Sequence, residues 1–340
     1  MKINKLLCGM SAMALLALPS CENGDRDFPD FDGGATVYFA YQYPVRTIVL
    51  GNDTYDTKAD NEHRFAIYSV SGGTYDGVTA SVGFGIEESL CNNLYFDQDK
   101  NEPVKAMPQS YYSLGSEVLQ YNKQQNTYVD VQLSDEFFAD PNSLKNTYVI
   151  PLRMTSASGN VSILEGSSMV ESPVWQNAND WNTLPKNYVL YCVKFINKYH
   201  ANYLRRGVDN ITYNGNTDTK IRHNGVEKDE VCSTKSLSLN SVEYPVSTLL
   251  ADGTSVTCNL VLDFDANGNC TIKGDGKYEA SGSGKYCENS EIKAWGNKDR
   301  DGLYLDYTID FGERQISTKD TLVWQSRGVS METFSPYYIQ

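Results

Sequence analysis

The sequence predicts an all-β protein, a β-sandwich followed by an antiparallel β-barrel. Three observations predict it. Tyr is abundant, with 24 copies against 12 Phe and 4 Trp, and a ring that carries a hydroxyl suits a half-buried strand. Short runs rich in Val, Ile, Tyr, Phe and Thr recur between clusters of Gly, Asn, Asp and Pro, the punctuation of strands and turns. Strong helical segments are lacking.

The chain of 340 residues is long enough for two domains of ordinary size. Its 40% hydrophobic and 21% charged content favours neither disorder nor a membrane channel. Residues 1–20 carry Lys2 and Lys5, then an apolar run from about Leu6 to Leu18. That is the pattern of a signal peptide and too short for a comfortable transmembrane span. It ends in Leu18-Pro19-Ser20-Cys21, which resembles a lipobox, so Cys21 is the expected lipidation site and the membrane anchor. Residues 21–34 form an acidic tether beginning with Glu22, Asp25 and Asp27. It resembles the export signal of Bacteroides-type lipoproteins, which implies an outer-membrane protein displayed at the cell surface. Loss of residues 1–20 removes two cations and no acid, taking the net charge from −14 to −16. Such a body is repelled by phosphate backbones and anionic headgroups, which argues against nucleic acid as a partner.

The first domain, 35–164, has expected strands at 36–41, 46–50, 64–70, 79–86, 127–133 and 147–154. Ser134 heads a capped helical turn through Asp135-Glu136-Phe137-Phe138. Regular short strands of this kind suggest a sandwich. Residues 165–187 are polar and punctuated and read as a linker, although Trp175 and Trp181 within it indicate packing. The second domain, 188–340, has expected strands at 188–197, 237–239, 255–264, 270–273, 276–280, 285–287, 303–311 and 318–323. Turns are expected at Asp265-Ala266-Asn267-Gly268-Asn269, at Ser281-Gly282-Ser283-Gly284 and at Asp299-Arg300-Asp301-Gly302. Consecutive hairpins favour an up-and-down barrel, with a sandwich as second choice. Beyond Cys8 and Cys21, six cysteines remain: Cys91, Cys192, Cys232, Cys258, Cys270 and Cys287. An oxidising compartment permits bridges among them, and buried free thiols are the alternative.

Certain runs invite a chemical reading. Asp301-Gly302-Leu303-Tyr304-Leu305-Asp306-Tyr307 is similar to the acidic strand of chitinase-like glycosidases, yet Thr308 stands where the proton-donating Glu is required. The second half is also too short for an eight-fold barrel of that type. Asp263–Gly268 and Asn297–Gly302 match the first half of a calcium loop, but the twelfth positions are Gly274 and Thr308. His63, His200 and His223 are widely separated, and no nucleophile or phosphate-loop motif occurs. No catalytic residue, cofactor or metal is therefore expected. For a sugar-binding surface the candidates are Trp295 with Asn297 and Asp299, then Trp181, because a sugar's C–H face lies against an indole while neighbouring polar groups bond its hydroxyls. The more ordinary reading of each Trp is a cover for a barrel end or a domain junction.

Several stretches together resemble a family of Bacteroides-type surface lipoproteins. They include Asp60-Asn61-Glu62-His63, Gly72-Gly73, Val82-Gly83-Phe84, Glu87-Glu88-Ser89-Leu90 and Pro108 before Tyr111-Tyr112. The firmest are 129–133, Asp135-Glu136-Phe137-Phe138 and Tyr148-Val149-Ile150-Pro151-Leu152. The resemblance covers roughly 35–330. It implies an Ig-like N-terminal sandwich, of the type also found ahead of chitinase-like proteins, and a calycin-like C-terminal barrel. It also implies association with polysaccharide-utilisation systems, with an oligosaccharide or polysaccharide and outer-membrane importer proteins as partners. The expected function is non-catalytic glycan binding; the alternative is a structural or protein-interaction subunit of an importer or adhesin.

Overall fold

The computed structural model describes residues 31–51, 58–223, 225 and 228–339. The expected signal peptide, Cys21 and most of the acidic tether lie outside the described residues. The all-β expectation holds: strands dominate both halves, and the helices are single short turns.

The first half is a sandwich. One sheet runs 161–163, 35–38, 64–72, 126–133, 112–114; the other runs 332–333, 44–49, 188–196, 148–159, 78–86, 118–124. Alternation builds the space between them. In strand Arg64–Gly72, Phe65 and Ile67 point inward while Arg64 and Tyr68 are exposed, as the period of two requires. Phe65, Val129 and Val131 from one sheet share a core with Ile48, Val82, Ile150, Leu152 and Phe195 from the other. Helix Asp135–Ala139 follows Ser134 as expected, but the Ser134 hydroxyl makes no capping bond and is buried without a partner. Burial of Phe137 and Phe138 fixes that turn instead.

The second half is one meandering sheet in the order 216–222, 202–213, 314–326, 298–310, 279–295, 269–273, 255–264, 241–249, 235–236. Its ends are joined by a short segment. Strand Glu230–Ser233 pairs with 202–205, and Lys235–Ser236 immediately after it pairs with 242–243. One stretch of backbone is thus bonded at both ends of the sheet, which closes it into a barrel at that level. Closure is incomplete along one side. Strand Ser241–Leu249 pairs with 255–263 on one side, but on the other only 242–243 are paired. Between its last residues and strand Asn216–Arg222 a slot remains.

The domain limits differ from those expected at 165–187 and 188. Strand Tyr188–Ile196 lies in the centre of the sandwich, parallel to Pro44–Val49 and antiparallel to Tyr148–Gly159. Its continuous apolar run, with Val189, Leu190, Cys192 and Val193 all buried, is what a strand covered on both faces needs. Residues 165–187 belong to the sandwich as well, pairing Ser167–Ser168 with Trp181–Thr183. After Gly328 the chain returns to the first domain, where 332–333 pairs with 44–45 and 337–338 with 94–95. The barrel therefore occupies about 198–328.

Two expected turns are strand interior. Ser281–Gly284 lies inside Glu279–Trp295, and Asp299–Gly302 inside Lys298–Asp310. A Cβ on Gly282 would come within 2.6 Å of the Tyr307 Cβ, and one on Gly284 within 2.6 Å of Leu305 Cδ2. These glycines make room for large inward side chains on the neighbouring strand rather than reversing the chain. The expected strand at 237–239 is not one; the adjacent strand is Ser241–Leu249. The hairpin of Asn202–Tyr213 with Asn216–Arg222, turning at Asn214-Gly215, escaped the sequence reading. The Asp265–Asn269 turn is as expected: Asp265 Oδ1 accepts from the Asn267 and Asn269 amides at 2.8 and 2.9 Å. All six described cysteines are free thiols.

Candidate functional site

The barrel interior is packed. Tyr199, Tyr203, Tyr244 and Tyr307 are fully buried among Leu260, Leu262, Leu303 and Leu305. No long apolar ligand fits there. The inward parity of two adjacent strands, however, carries charge. Arg205 and Asp209 alternate on Asn202–Tyr213, and Thr318 and Asp320 alternate on Arg314–Ser326.

Asp320 is the hub. Its carboxylate accepts from Arg205 Nε at 3.1 Å, from the hydroxyls of Tyr307 at 2.7 Å and Tyr244 at 3.1 Å, and from Arg222 Nη2. Asp209 accepts a two-pronged bond from Arg222, Nε at 2.7 Å and Nη2 at 2.9 Å, and a third from Thr318 Oγ1 at 2.8 Å. Burial alone would raise the Asp209 carboxyl, but the bonds and charge of Arg222, with the Thr318 hydroxyl, hold it below its ordinary value. Burial, then the nearby carboxylate, raises the Tyr307 phenol, which remains a donor. Burial works against the Arg205 cation, yet Tyr244, Tyr307, Asp320 and Glu230 around it raise its pKa further. Such a pairing is needed to keep charge out of water.

The network forms the floor of a cavity of about 350 Å³ that opens through the slot, between Lys220 and Arg222 on one wall and Val246–Leu249 on the other. The remaining wall includes Glu230, Ser255, Arg314 and Thr318. This is the lower end of the size range of small-ligand sites. A groove of about 690 Å³ also lies at the domain junction, lined by Arg46, Asp60, Tyr191, Arg327, Met331 and Glu332. Its charged groups are already engaged, Arg46 with Asp60, Glu332 with Lys194, and Arg327 with the Lys198 and His200 carbonyls, so it offers less to a polar ligand. Among the described residues no group of His, Cys, Asp and Glu is placed to hold a metal. No helix among them is long and apolar enough to cross a membrane.

The residues singled out in the sequence lie elsewhere. Trp295, Asn297 and Asp299 share the hairpin between 279–295 and 298–310, on the barrel's outside. The Trp295 ring packs on Leu204, Ala294 and Val323, and its carbonyl accepts from Arg300 Nε at 3.0 Å. Asp299 accepts from the Lys293 amide at 2.9 Å, where that strand is irregular and Lys293 has φ 48°. Trp181 is in the other domain, buried beside Trp175 with its indole N–H bonded to Val174 O at 2.9 Å.

A family model described as "-like, N-terminal domain" matches residues 31–161, and the model "Domain of unknown function (DUF5627)" matches residues 198–328. A crystal structure of a protein of unknown function from Bacteroides ovatus, at 2.40 Å resolution, is 40% identical with a TM-score of 0.85. The match covers 92% of this chain and 100% of that one. The chain belongs to that protein's family. In this chain the DUF5627 match, 198–328, coincides with the barrel limits given above. A multidomain protein including DUF1735 from Bacteroides ovatus matches at 12% identity, with 85% and 92% of the two chains covered and a TM-score of 0.41. A "putative carbohydrate binding protein" from Bacteroides ovatus ATCC 8483 matches at 14% identity, with 89% of each chain covered and a TM-score of 0.29. No curated protein matches.

Sequence reasoning missed the barrel-mouth cluster, although one signal pointed to it. Asp320 has the same parity as Leu322 and Trp324, and Arg205 the same as Tyr203. A charge on the core face of an alternating strand implies a buried partner.

Proposed function

We propose that this family member is a non-catalytic, lipid-anchored protein of the bacterial cell surface that binds a glycan at the barrel mouth and serves a polysaccharide-uptake system. The observation that carries the reading is the mouth itself. Its lining is dense in hydrogen-bonding groups from Arg222, Lys220, Thr318, Ser247, Thr248 and Ser255, which suits a ligand made of hydroxyls. The packed floor keeps that ligand short or terminal.

The reading without catalysis rests on the state of the acids. Glycoside hydrolysis uses one carboxyl as proton donor and another as base or nucleophile. Here Asp209 is held ionised by Arg222, and Asp320 is taken up by two guanidinium groups and two phenols. Anchoring rests on Leu18-Pro19-Ser20-Cys21 and the acids after it, and uptake partners follow from the surface-lipoprotein resemblance.

Affinity gels cast with a panel of polysaccharides test the binding. At least one should retard the protein, and Thr248→Trp, placing an indole in the slot, should abolish the retardation while leaving the melting transition in place. Free migration through every gel would reject the reading. Mass spectrometry of the protein extracted from membranes should find a diacylglyceryl group on Cys21.

A further inference from the structure

We propose that the ligand of the barrel mouth is an anionic glycan, whose acid group, a carboxylate or a sulfate ester, docks against Lys220, Arg222 and Arg314. The proposal rests on the glycan reading above and names the chemistry of its ligand. Lysine and arginine side chains number 29 against 43 acids over the chain, yet the mouth reverses that balance. Arg205, Lys220, Arg222 and Arg314 line it, against Asp209 and Glu230 in the lining and Asp320 in the floor network.

Not all of these cations are matched. Arg205 and Arg222 hold Asp320 and Asp209. Neither Lys220 nor Arg314 forms an ion pair among the described residues, and the Arg314 guanidinium lies over the Tyr213 ring, 5.8 Å from its centroid. Arg222, with a side chain only 10% exposed, uses Nε and Nη2 and leaves Nη1 buried with no hydrogen-bond partner. Arg314 Nε is in the same condition. Buried donors left unmade are costly, and two such donors on guanidinium groups lining one cavity are suited to oxygens that bring negative charge. The packed barrel below excludes a fatty acid or other long apolar acid, whereas a sugar acid can leave its ring at the slot and direct its charge inward.

Calorimetric titration of the purified protein separates the possibilities. Three oligosaccharide ligands are used: an oligogalacturonate, a sulfated galactan and a neutral galactan. At low salt, one of the two acidic ligands should bind at least about tenfold more tightly than the neutral one, and which one does so identifies the acid group. The difference should shrink as salt rises. Lys220→Gln and Arg314→Gln should each weaken acid binding by on the order of tenfold, which corresponds to about 1.4 kcal/mol. Neither side chain belongs to the Asp209–Asp320 network, so both variants should melt as the parent does. Equal affinity for neutral and acidic ligands, or acid binding indifferent to both substitutions, would overturn the charge preference while leaving glycan binding standing. Absence of heat with all three, in a protein that also passes freely through every polysaccharide gel, would remove both readings together.

Discussion

The sandwich and the barrel are both antiparallel assemblies with alternating strands, and they fill their interiors in opposite ways. In the sandwich the inward positions are apolar almost throughout, from Val37 and Ile67 to Leu152 and Phe195, and its buried Tyr121 needs only the Ser69 hydroxyl at 2.5 Å. In the barrel the inward row that starts at Tyr203 continues to Arg205 and Asp209, and the row that ends at Trp324 passes through Asp320 and Thr318. The polar row is not spread around the barrel. It stands where strand Asn216–Arg222 overhangs and the closing segment stops, that is, beside the slot. An interior sealed by two sheets can be left to packing, while an interior that opens to the surface keeps charge and must hold it in place. In the second domain the buried charges that line the mouth are thus also part of the packing.

The sharpest way to break this contrast is Asp320→Ala. It leaves Arg205 and Arg222 without their shared carboxylate and two phenols without their acceptor, and the expected loss is about 3–5 kcal/mol, by analogy with broken buried pairs. Urea unfolding followed separately by a barrel and a sandwich probe should show the loss in the barrel transition. A loss below about 1 kcal/mol would show that the network is not what holds this side of the barrel.

The next effect is on pH dependence at the junction of the two domains. Burial, followed by Arg327, Lys235 and Lys194, lowers the pKa of His200 to about 4, and its neutral ring accepts from the Ser236 amide at 3.0 Å. Above the unfolded value of about 6.5 neither state is protonated, so the residue makes no pH-dependent contribution. Between about 6.5 and about 4 the unfolded chain takes up a proton that the folded one refuses, so stability falls as pH falls through that window. His200→Gln should flatten this part of the stability profile, measured by urea midpoints from pH 7 to pH 4.5. An unchanged slope would show that His200 is protonated in the folded state.

The smallest effect sharpens the steric side of the comparison. Gly284→Ala places a methyl within 2.6 Å of Leu305 Cδ2 and 2.8 Å of Cys270 Sγ. Overpacking of this order should cost about 1–3 kcal/mol. Gly85, a strand glycine of the sandwich with nothing within 4 Å of its would-be Cβ, should tolerate the same change with a much smaller shift. Equal thermal shifts at the two positions would mean that the barrel glycines do not serve to admit their neighbours' side chains.

The all-β class, most strands of the first domain and the Asp265–Asn269 hairpin were determined by the sequence itself, because alternation and turn residues are local and each is read within a few positions. The roles of Trp181 and Trp295 were not legible, because they depend on what their rings meet. Three things were decided only by tertiary structure. Tyr188–Ile196 joined the sandwich because its apolar run found cover on both faces. Gly282 and Gly284 became strand rather than turn because Leu305 and Tyr307 needed their space. Arg205, Asp209, Arg222 and Asp320 became one cluster because strand 202–213 pairs with 216–222 on one side and with 314–326, over a hundred positions away, on the other. No local pattern encodes such a meeting: a buried charge is tolerable only opposite its partner, and the partner is chosen by how the strands pair.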